Sequence, residues 1–205
     1  MKSFVFINGR GSSGKDTQAD KIVENSPTAV RISTGDIYRG ARTTNGVYGR
    51  FHNRINPYIK SVDSGGLIPD EIMLPIVWEV IDEQTQQGKD TFVFTGFPRT
   101  DTQLTSVDEY LGFLRKSGEK INVAYLTYSV LESHSRTRAE KRRLRGGILR
   151  EDDKPEVVQR RLQVYKENTA PMLHRLAREG RLTIIKSSGS IDEVRERTKR
   201  SLEKE

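Results

Sequence analysis

The segment with the clearest chemistry is a glycine-rich run near the start of the chain, Gly9-Arg10-Gly11-Ser12-Ser13-Gly14-Lys15. It follows an apolar run, opens a helical pattern and matches the G-x-x-x-x-G-K part of the phosphate-binding P-loop pattern. In such a loop, backbone N–H groups surround phosphate oxygens, the helix N-terminus adds its positive dipole end, and the lysine adds a full charge. An ordinary Gly/Ser turn is the simpler alternative, but the motif in this context favours a phosphate site.

Three later segments, in the same order along the chain, resemble those of adenylate kinases. Ile32-Ser33-Thr34-Gly35-Asp36-Ile37-Tyr38-Arg39 is similar to their S-T-G-D-x-x-R segment, and Gly96-Phe97-Pro98-Arg99-Thr100, with Gln103, to their D-G-F-P-R-T-x-x-Q segment. Arg138, Arg142, Arg150-Glu151-Asp152-Asp153 and Arg161 resemble their lid-flanking arginines and acidic pair. With Gly14-Lys15-Asp16-Thr17-Gln18, the matches run from residue 4 to about residue 195. The chain is therefore identified as a member of this family of nucleoside monophosphate kinases, in its short-lid form.

The resemblance implies transfer of the γ-phosphoryl group of ATP to AMP, giving two ADP, with Mg²⁺. Such transfer needs positioning and positive charge around the phosphate oxygens, which the planar fork of arginine supplies. The implied catalytic residues are Lys15, Arg99, Arg142, Arg150 and Arg161. The implied ATP-binding residues are Gly11, Ser12, Ser13, Gly14, Lys15, Asp16, Thr17, Arg138 and Arg142. The implied AMP-binding residues are Thr34, Gly35, Arg39, Leu67, Ile68, Gly96, Arg99, Gln103, Arg150 and Arg161. No direct metal ligand is expected; Asp36, Asp152 and Asp153 would orient magnesium through its waters.

Two other functions remain open at this point. Relatives that act on UMP or CMP usually carry Ala where this chain has Thr34, and Asn where it has Thr100, so the sequence favours adenine as the acceptor base. The other alternative is a basic protein that binds nucleic acid. Taken singly, arginines such as Arg138 or Arg161 could also be solvated side chains that contact no ligand. Because the chain shows no basic–aromatic interleaving and no recognised nucleic-acid module, no specific nucleic-acid partner is expected.

The chain also departs from the family at two positions. Most adenylate kinases have Asp just before the Gly-Phe-Pro-Arg segment, where it orients the water shell of magnesium, but this chain has Thr95. Asp16 stands where the family usually has Gly, so it could supply the missing carboxylate. The alternative is that Asp16 only complements the helix dipole and faces away from the metal. Repulsion between a carboxylate and phosphates favours this second interpretation.

The composition of the chain excludes several kinds of site. The chain has 205 residues, 34% of them apolar, a net charge of 35 − 28 = +7 and no cysteine, which excludes disulfide frameworks and cysteine nucleophiles. A basic chain attracts phosphate in some form. The sequence shows neither a signal peptide nor an apolar run long enough to cross a membrane, so we expect a cytoplasmic protein with no membrane partner. We also expect a monomer.

Short apolar runs that alternate with helical patterns must position these residues. The predicted strands are Phe4–Ile7, Ala29–Ile32, Thr91–Phe94, Val123–Leu126 and Leu182–Ile185. The alternation predicts an α/β fold with a doubly wound, five-stranded parallel sheet of the P-loop NTPase kind. Residues 1–205 form one kinase domain with two small mobile insertions: a monophosphate-binding insertion at 34–68 and a short lid at 142–154.

Overall fold

The computed structural model of the protein describes residues 1–24, 26–130 and 154–203. Five strands form one parallel sheet in the order β2-β3-β1-β4-β5. The strands are β1 (Lys2–Gly9), β2 (Ala29–Ser33), β3 (Thr91–Thr95), β4 (Ile121–Ser129) and β5 (Leu182–Lys186). Each contains one predicted run, so the predicted five-stranded parallel α/β fold is confirmed.

Helices connect the strands and cover both faces of the sheet. They are α1 (Lys15–Val23), α2 (Thr34–Gly40), α3 (His52–Ile55), α4 (Ile59–Asp63), α5 (Asp70–Gln86), α6 (Asp101–Lys116), α7 (Pro155–Val164), α8 (Ala170–Arg178) and α9 (Ile191–Leu202). Short 3₁₀ turns at Gly49–Phe51 and Asn56–Tyr58 flank α3. None of the described helices is long and apolar enough to span a bilayer.

The sheet is buried on both faces because successive side chains of a strand point to opposite sides. In β1, Phe4 and Phe6 belong to one core cluster, whereas Val5 and Ile7 belong to the other. The Phe6 ring lies between the rings of its neighbours on the adjacent strands, Phe94 and Tyr125, each with its centroid 4.9 Å away. This packing holds the end of β1, and the loop that follows it, in a fixed position.

The region between β2 and α5 carries helices and no strand, as its Gly and Pro content predicts. Its apolar residues Tyr38, Phe51, Ile55 and Val62 are buried in the same core cluster as Phe4 and Phe6. Residues 34–68 therefore pack against the core in this structure. Their mobility stays a prediction, and residues 142–153 of the predicted lid lie outside the described residues.

Two long helical segments contain a proline, and the local structure differs between them. Near Pro171 a π-helical turn, Tyr165–Thr169, separates α7 from α8. A proline nitrogen has no hydrogen to donate, and Pro171 lies in the first turn of α8, where this loss is tolerated. Pro75 lies inside α5, which nevertheless begins at Asp70.

Candidate active site

The glycine-rich loop lies at the carboxyl end of β1, in the centre of the sheet. Gly14 is the N-cap of α1 and has a φ of 90°, in the left-handed region that favours glycine. Its lack of a side chain leaves the positive end of α1 without a side-chain cap from the described residues. The P-loop prediction therefore has the strand–loop–helix context that phosphate binding requires.

A cavity of about 220 Å³ opens beside this loop. Thirteen of the predicted nucleotide-binding residues line it: Gly11, Ser12, Lys15, Asp16, Thr34, Gly35, Arg39, Leu67, Ile68, Gly96, Arg99, Gln103 and Arg161. These residues come from the P-loop, α2, the end of the insertion, the loop after β3, α6 and α7. Segments distant in sequence thus meet at one place, at the carboxyl ends of the strands, where open α/β sheets bind ligands.

Other predicted residues lie elsewhere. Ser13 is fully buried behind the loop, Gly14 is half-buried and Thr17 is exposed. The cavity lining includes none of these three, nor Asp36. Predicted residues from the lid region lie outside the described residues: Arg138, Arg142, Arg150, Asp152 and Asp153.

Lys15, at the start of α1, is largely buried, with 16% of its side chain exposed. Its Nζ lies 2.8 Å from Oδ2 of Asp16. Burial lowers the pKa of Lys15, and the charge of Asp16 opposes that decrease. Partial burial alone would raise the pKa of Asp16, but Lys15, Thr95 and Arg31 outweigh it and lower that pKa to about 2. Asp16 is therefore ionised at neutral pH and lines the cavity beside the P-loop; whether it faces a bound metal ion stays a prediction.

Arg99 is held by the tight turn that follows β3. Its Nε donates to the carbonyl oxygen of Gly96 at 2.6 Å, and the Thr34 hydroxyl donates to the same oxygen at 2.9 Å. Gly96 has a φ of 70°, and a Cβ there would lie 2.6 Å from Nη2 of Arg99. Burial, then the charges of Arg161 and Arg39, lower the pKa of Arg99 to about 10. An incoming anion would relieve this accumulation of positive charge.

The Gln103 amide is oriented at both ends. Its Oε1 accepts from the backbone N–H of Arg99 at 2.8 Å, and its Nε2 donates to Oδ1 of Asp70 at 2.6 Å. The Thr100 hydroxyl donates to the other carboxylate oxygen of Asp70, also at 2.6 Å. An amide has two donor hydrogens and two acceptor lone pairs, so Gln103 keeps capacity for a nucleobase while its orientation is fixed.

Two oxygen groups beside Lys15 suit a hydrated magnesium ion. The Thr95 hydroxyl, at the end of β3, is buried and makes no hydrogen bond of ordinary geometry, although it lies close enough to Asp16 to help lower that pKa. Both residues line the cavity. Among the described residues no three His, Asp or Glu side chains gather as a metal site. Oxygen donors that meet the ion through water and phosphate are how proteins usually hold Mg²⁺, so these two residues fit it.

Sequence analysis missed two residues that organise the site. Asp70, in the first turn of α5, accepts hydrogen bonds from Thr100 and Gln103. Arg31 lies in β2 and contacts Asp36 at 2.7 Å. Its charge, placed between the apolar residues Val30 and Ile32, was the available signal. A charged residue inside an otherwise apolar strand points to an ion pair on one face of the sheet.

Comparisons with known proteins agree with this arrangement. The family model described as "Adenylate kinase" matches residues 7–181. An adenylate kinase of Deinococcus deserti is 32% identical over 198 residues, which cover 96% of this chain and 94% of the relative. One of Hyphomonas neptunium is 34% identical over 190 residues, covering 93% of each chain. One of Oenococcus oeni is 33% identical over 195 residues, covering 95% of this chain and 94% of the relative. The chain therefore belongs to the adenylate kinase family.

Proposed function

We propose that this protein catalyses the reversible transfer of the γ-phosphoryl group of ATP to AMP, giving two ADP. The observation that carries the proposal is the convergence of cations on one cavity beside the P-loop; among the described residues these are Arg10, Lys15, Arg39, Arg99 and Arg161. Phosphoryl transfer is catalysed mainly by positioning the phosphates and by positive charge around the transferred group.

The donor triphosphate would occupy the P-loop side of the cavity. There the N-terminus of α1 and the Lys15 ammonium face the same space. Backbone N–H groups and a fixed charge cost no reorganisation at the moment of reaction, which makes them effective stabilisers of developing negative charge. Arg161, on α7, would contact the transferred group from the opposite side, together with the predicted residues Arg142 and Arg150.

The acceptor monophosphate would lie between α2 and the turn after β3. Arg39 and Arg99 line this part of the cavity and would bind its phosphate. Thr34 and Gln103 are fixed by hydrogen bonds to Gly96 and Asp70, and both face the same space. A base that leaves oriented groups of this kind unpaired is disfavoured, so they would select adenine over uracil or cytosine.

Magnesium, when bound with ATP, would supply positive charge between the phosphate oxygens. Asp16 and Thr95 face the place where the triphosphate would lie, and Asp36, Asp152 and Asp153 are the further residues predicted to orient its waters. We also propose that residues 34–68 and 142–154 close over the two nucleotides. Closure would exclude water, which otherwise competes as the phosphoryl acceptor.

The reaction can be tested in the direction that needs a single nucleotide. Purified protein incubated with ADP and Mg²⁺ alone should form ATP and AMP in equal amounts, followed by phosphorus NMR. Absence of both products would contradict the proposal. Binding to nucleic acid, the other sequence-based alternative, would persist at moderate salt only if it were specific.

A further inference from the structure

Arg31 contacts three carboxylates at once, one with each nitrogen of its guanidinium. Nε lies 2.7 Å from Asp20, Nη2 lies 2.7 Å from Asp36, and Nη1 lies 3.7 Å from Asp16. Its side chain is only one-quarter exposed, at 25%. Asp16 and Asp20 are four residues apart and so lie on one face of α1. Arg31 therefore ties the start of α1 to the start of α2.

The strand explains why this arginine reaches that place. Val30 and Ile32 pack in the core cluster that contains Phe6, on one face of the sheet. Arg31 stands between them, so its side chain leaves on the other face. Helix α1 covers that face, because Ala19 belongs to the second core cluster.

Two of the three carboxylates also hold cations of the proposed nucleotide site. Asp16 contacts Lys15 at 2.8 Å, and Asp36 forms an ion pair with Arg39. Arg31 thus connects Lys15, on the donor side, with Arg39, on the acceptor side. The connection runs through Asp16 and Asp36. Arg31 itself is not among the residues that line the cavity.

This arrangement has a consequence for substrate binding. A phosphate that binds Lys15 or Arg39 competes with the carboxylate that the cation already contacts. A carboxylate displaced beside phosphates is repelled unless another cation faces it. Arg31 is already in contact with both carboxylates that would be displaced. An arginine suits contact with two carboxylates because its rigid guanidinium offers several N–H donors at fixed positions. The ammonium of a lysine is a single point charge and does not offer this geometry.

We propose that Arg31 is a positioning residue that holds Asp16 and Asp36 when substrate phosphates take Lys15 and Arg39, and so lowers the dissociation constants of both nucleotides. The proposal rests on the proposed function, since it assumes that ATP and AMP bind at these two cations. Without Arg31, both carboxylates would hold the cations more tightly and repel the incoming phosphates.

The test measures binding by calorimetry rather than activity, with EDTA present so that magnesium plays no part. Arg31→Gln should raise the dissociation constants of both ATP and AMP by about tenfold, which corresponds to about 1.4 kcal/mol each. In that background, Asp16→Asn should restore most of the ATP affinity but not the AMP affinity. Asp36→Asn should do the reverse. Each rescue should exceed the effect of the same Asn substitution made in the wild-type protein.

Arg175→Gln is the matched control. Arg175 also contacts three carboxylates, those of Asp101, Asp108 and Glu179, but it does not line the nucleotide cavity. This variant should keep both affinities within about twofold, since it removes only an ion-pair cluster at the surface. Thermal unfolding of each variant checks that it is folded.

Each outcome bears on the proposal. If Arg31→Gln leaves both affinities unchanged, or if neither Asn substitution restores affinity, Arg31 does not hold these carboxylates for the phosphates. If Arg31→Gln does not fold, Arg31→Lys replaces it and should weaken both nucleotides by at least about threefold, because one ammonium cannot face three carboxylates. Wild-type protein that binds neither nucleotide would contradict the proposed function itself, which separates the two failures.

Discussion

Replacing Arg99 by Met should stabilise the ligand-free protein while it destroys the acceptor site. The Arg99 guanidinium makes no ion pair with any described residue, and burial together with the charges of Arg161 and Arg39 lowers its pKa to about 10. Against the ordinary pKa of arginine, about 12.5 or higher, this corresponds to roughly 3 kcal/mol at 1.36 kcal/mol per pH unit. Because the guanidinium faces an open cavity, solvent screening reduces the cost to about 2 kcal/mol.

Part of this gain is lost with the hydrogen bonds. Arg99 donates to Gly96 and, at 3.4 Å, to the Thr34 hydroxyl. The two are worth about 1 kcal/mol together, because the Gly96 carbonyl keeps its bond from Thr34 and is not left unpaired. The net expectation is a stabilisation of about 1 kcal/mol, which raises Tm by about 2–4 °C in a chain of this length.

Thermal unfolding followed by circular dichroism, in a buffer free of phosphate and sulfate, measures this directly. Arg99→Lys is the control: it keeps the charge, so its Tm should not rise. AMP should raise the Tm of the wild type but not of Arg99→Met, whose AMP affinity should fall by about a hundredfold or more, roughly 3 kcal/mol. A ligand-free Arg99→Met protein less stable than the wild type, or an equal rise for Arg99→Lys, would refute the electrostatic reasoning.

Three further predictions concern the donor site and the insertions. Lys15→Met should lower kcat by about a hundredfold or more, while thermal unfolding shows that the fold is retained. Wild-type activity in this variant would show that Lys15 is not a catalytic residue. A bisubstrate analogue that joins two adenosines through phosphates should protect residues 34–68 and 142–154 from hydrogen exchange, and no protection at saturation would contradict their closure. Asp16→Gly should raise the magnesium concentration at which ATP binds half-maximally, and Thr95→Asp should restore it in the double variant. An unchanged magnesium dependence would show that Asp16 does not serve the metal.

The sequence predicts the sheet well because its strands are short, buried apolar runs. Phe4–Ile7 lies inside β1, and each other predicted run likewise lies inside its strand. Buried parallel strands carry a strong local signal, since both faces must be apolar. The P-loop is equally local: one strand, one glycine-rich turn and one helix start are adjacent in the chain.

The insertion at 34–68 was harder to predict because its structure depends on contacts with the core rather than on local sequence. Its short helices, such as α3 and α4, are flanked by 3₁₀ turns that contain Gly49 and Pro57, and the segment shows no long helical period. They are held instead by apolar side chains such as Phe51 and Ile55, which are buried against the core of the sheet. Propensity within a short window carries little information about such segments.

The side-chain network of the site could not be predicted from motifs. Asp16 is adjacent to Lys15 in sequence, but it also lies 3.7 Å from Arg31, which a separate strand supplies. Asp70 acts on Gln103 across 33 positions of sequence. Such contacts depend on which elements the fold brings together, and a single sequence does not encode these distances in any local pattern.

An initial-rate comparison of monophosphate acceptors, with ATP and Mg²⁺ held constant, tests the central claim most directly. Rates measured with AMP, UMP, CMP and GMP should show a kcat/KM for AMP at least about a hundredfold above the others, since oriented groups such as Thr34 and Gln103 would be left unpaired by a wrong base. Comparable or faster phosphorylation of UMP or CMP would contradict the assignment of AMP as the acceptor. No transfer to any monophosphate would contradict the proposed kinase activity altogether.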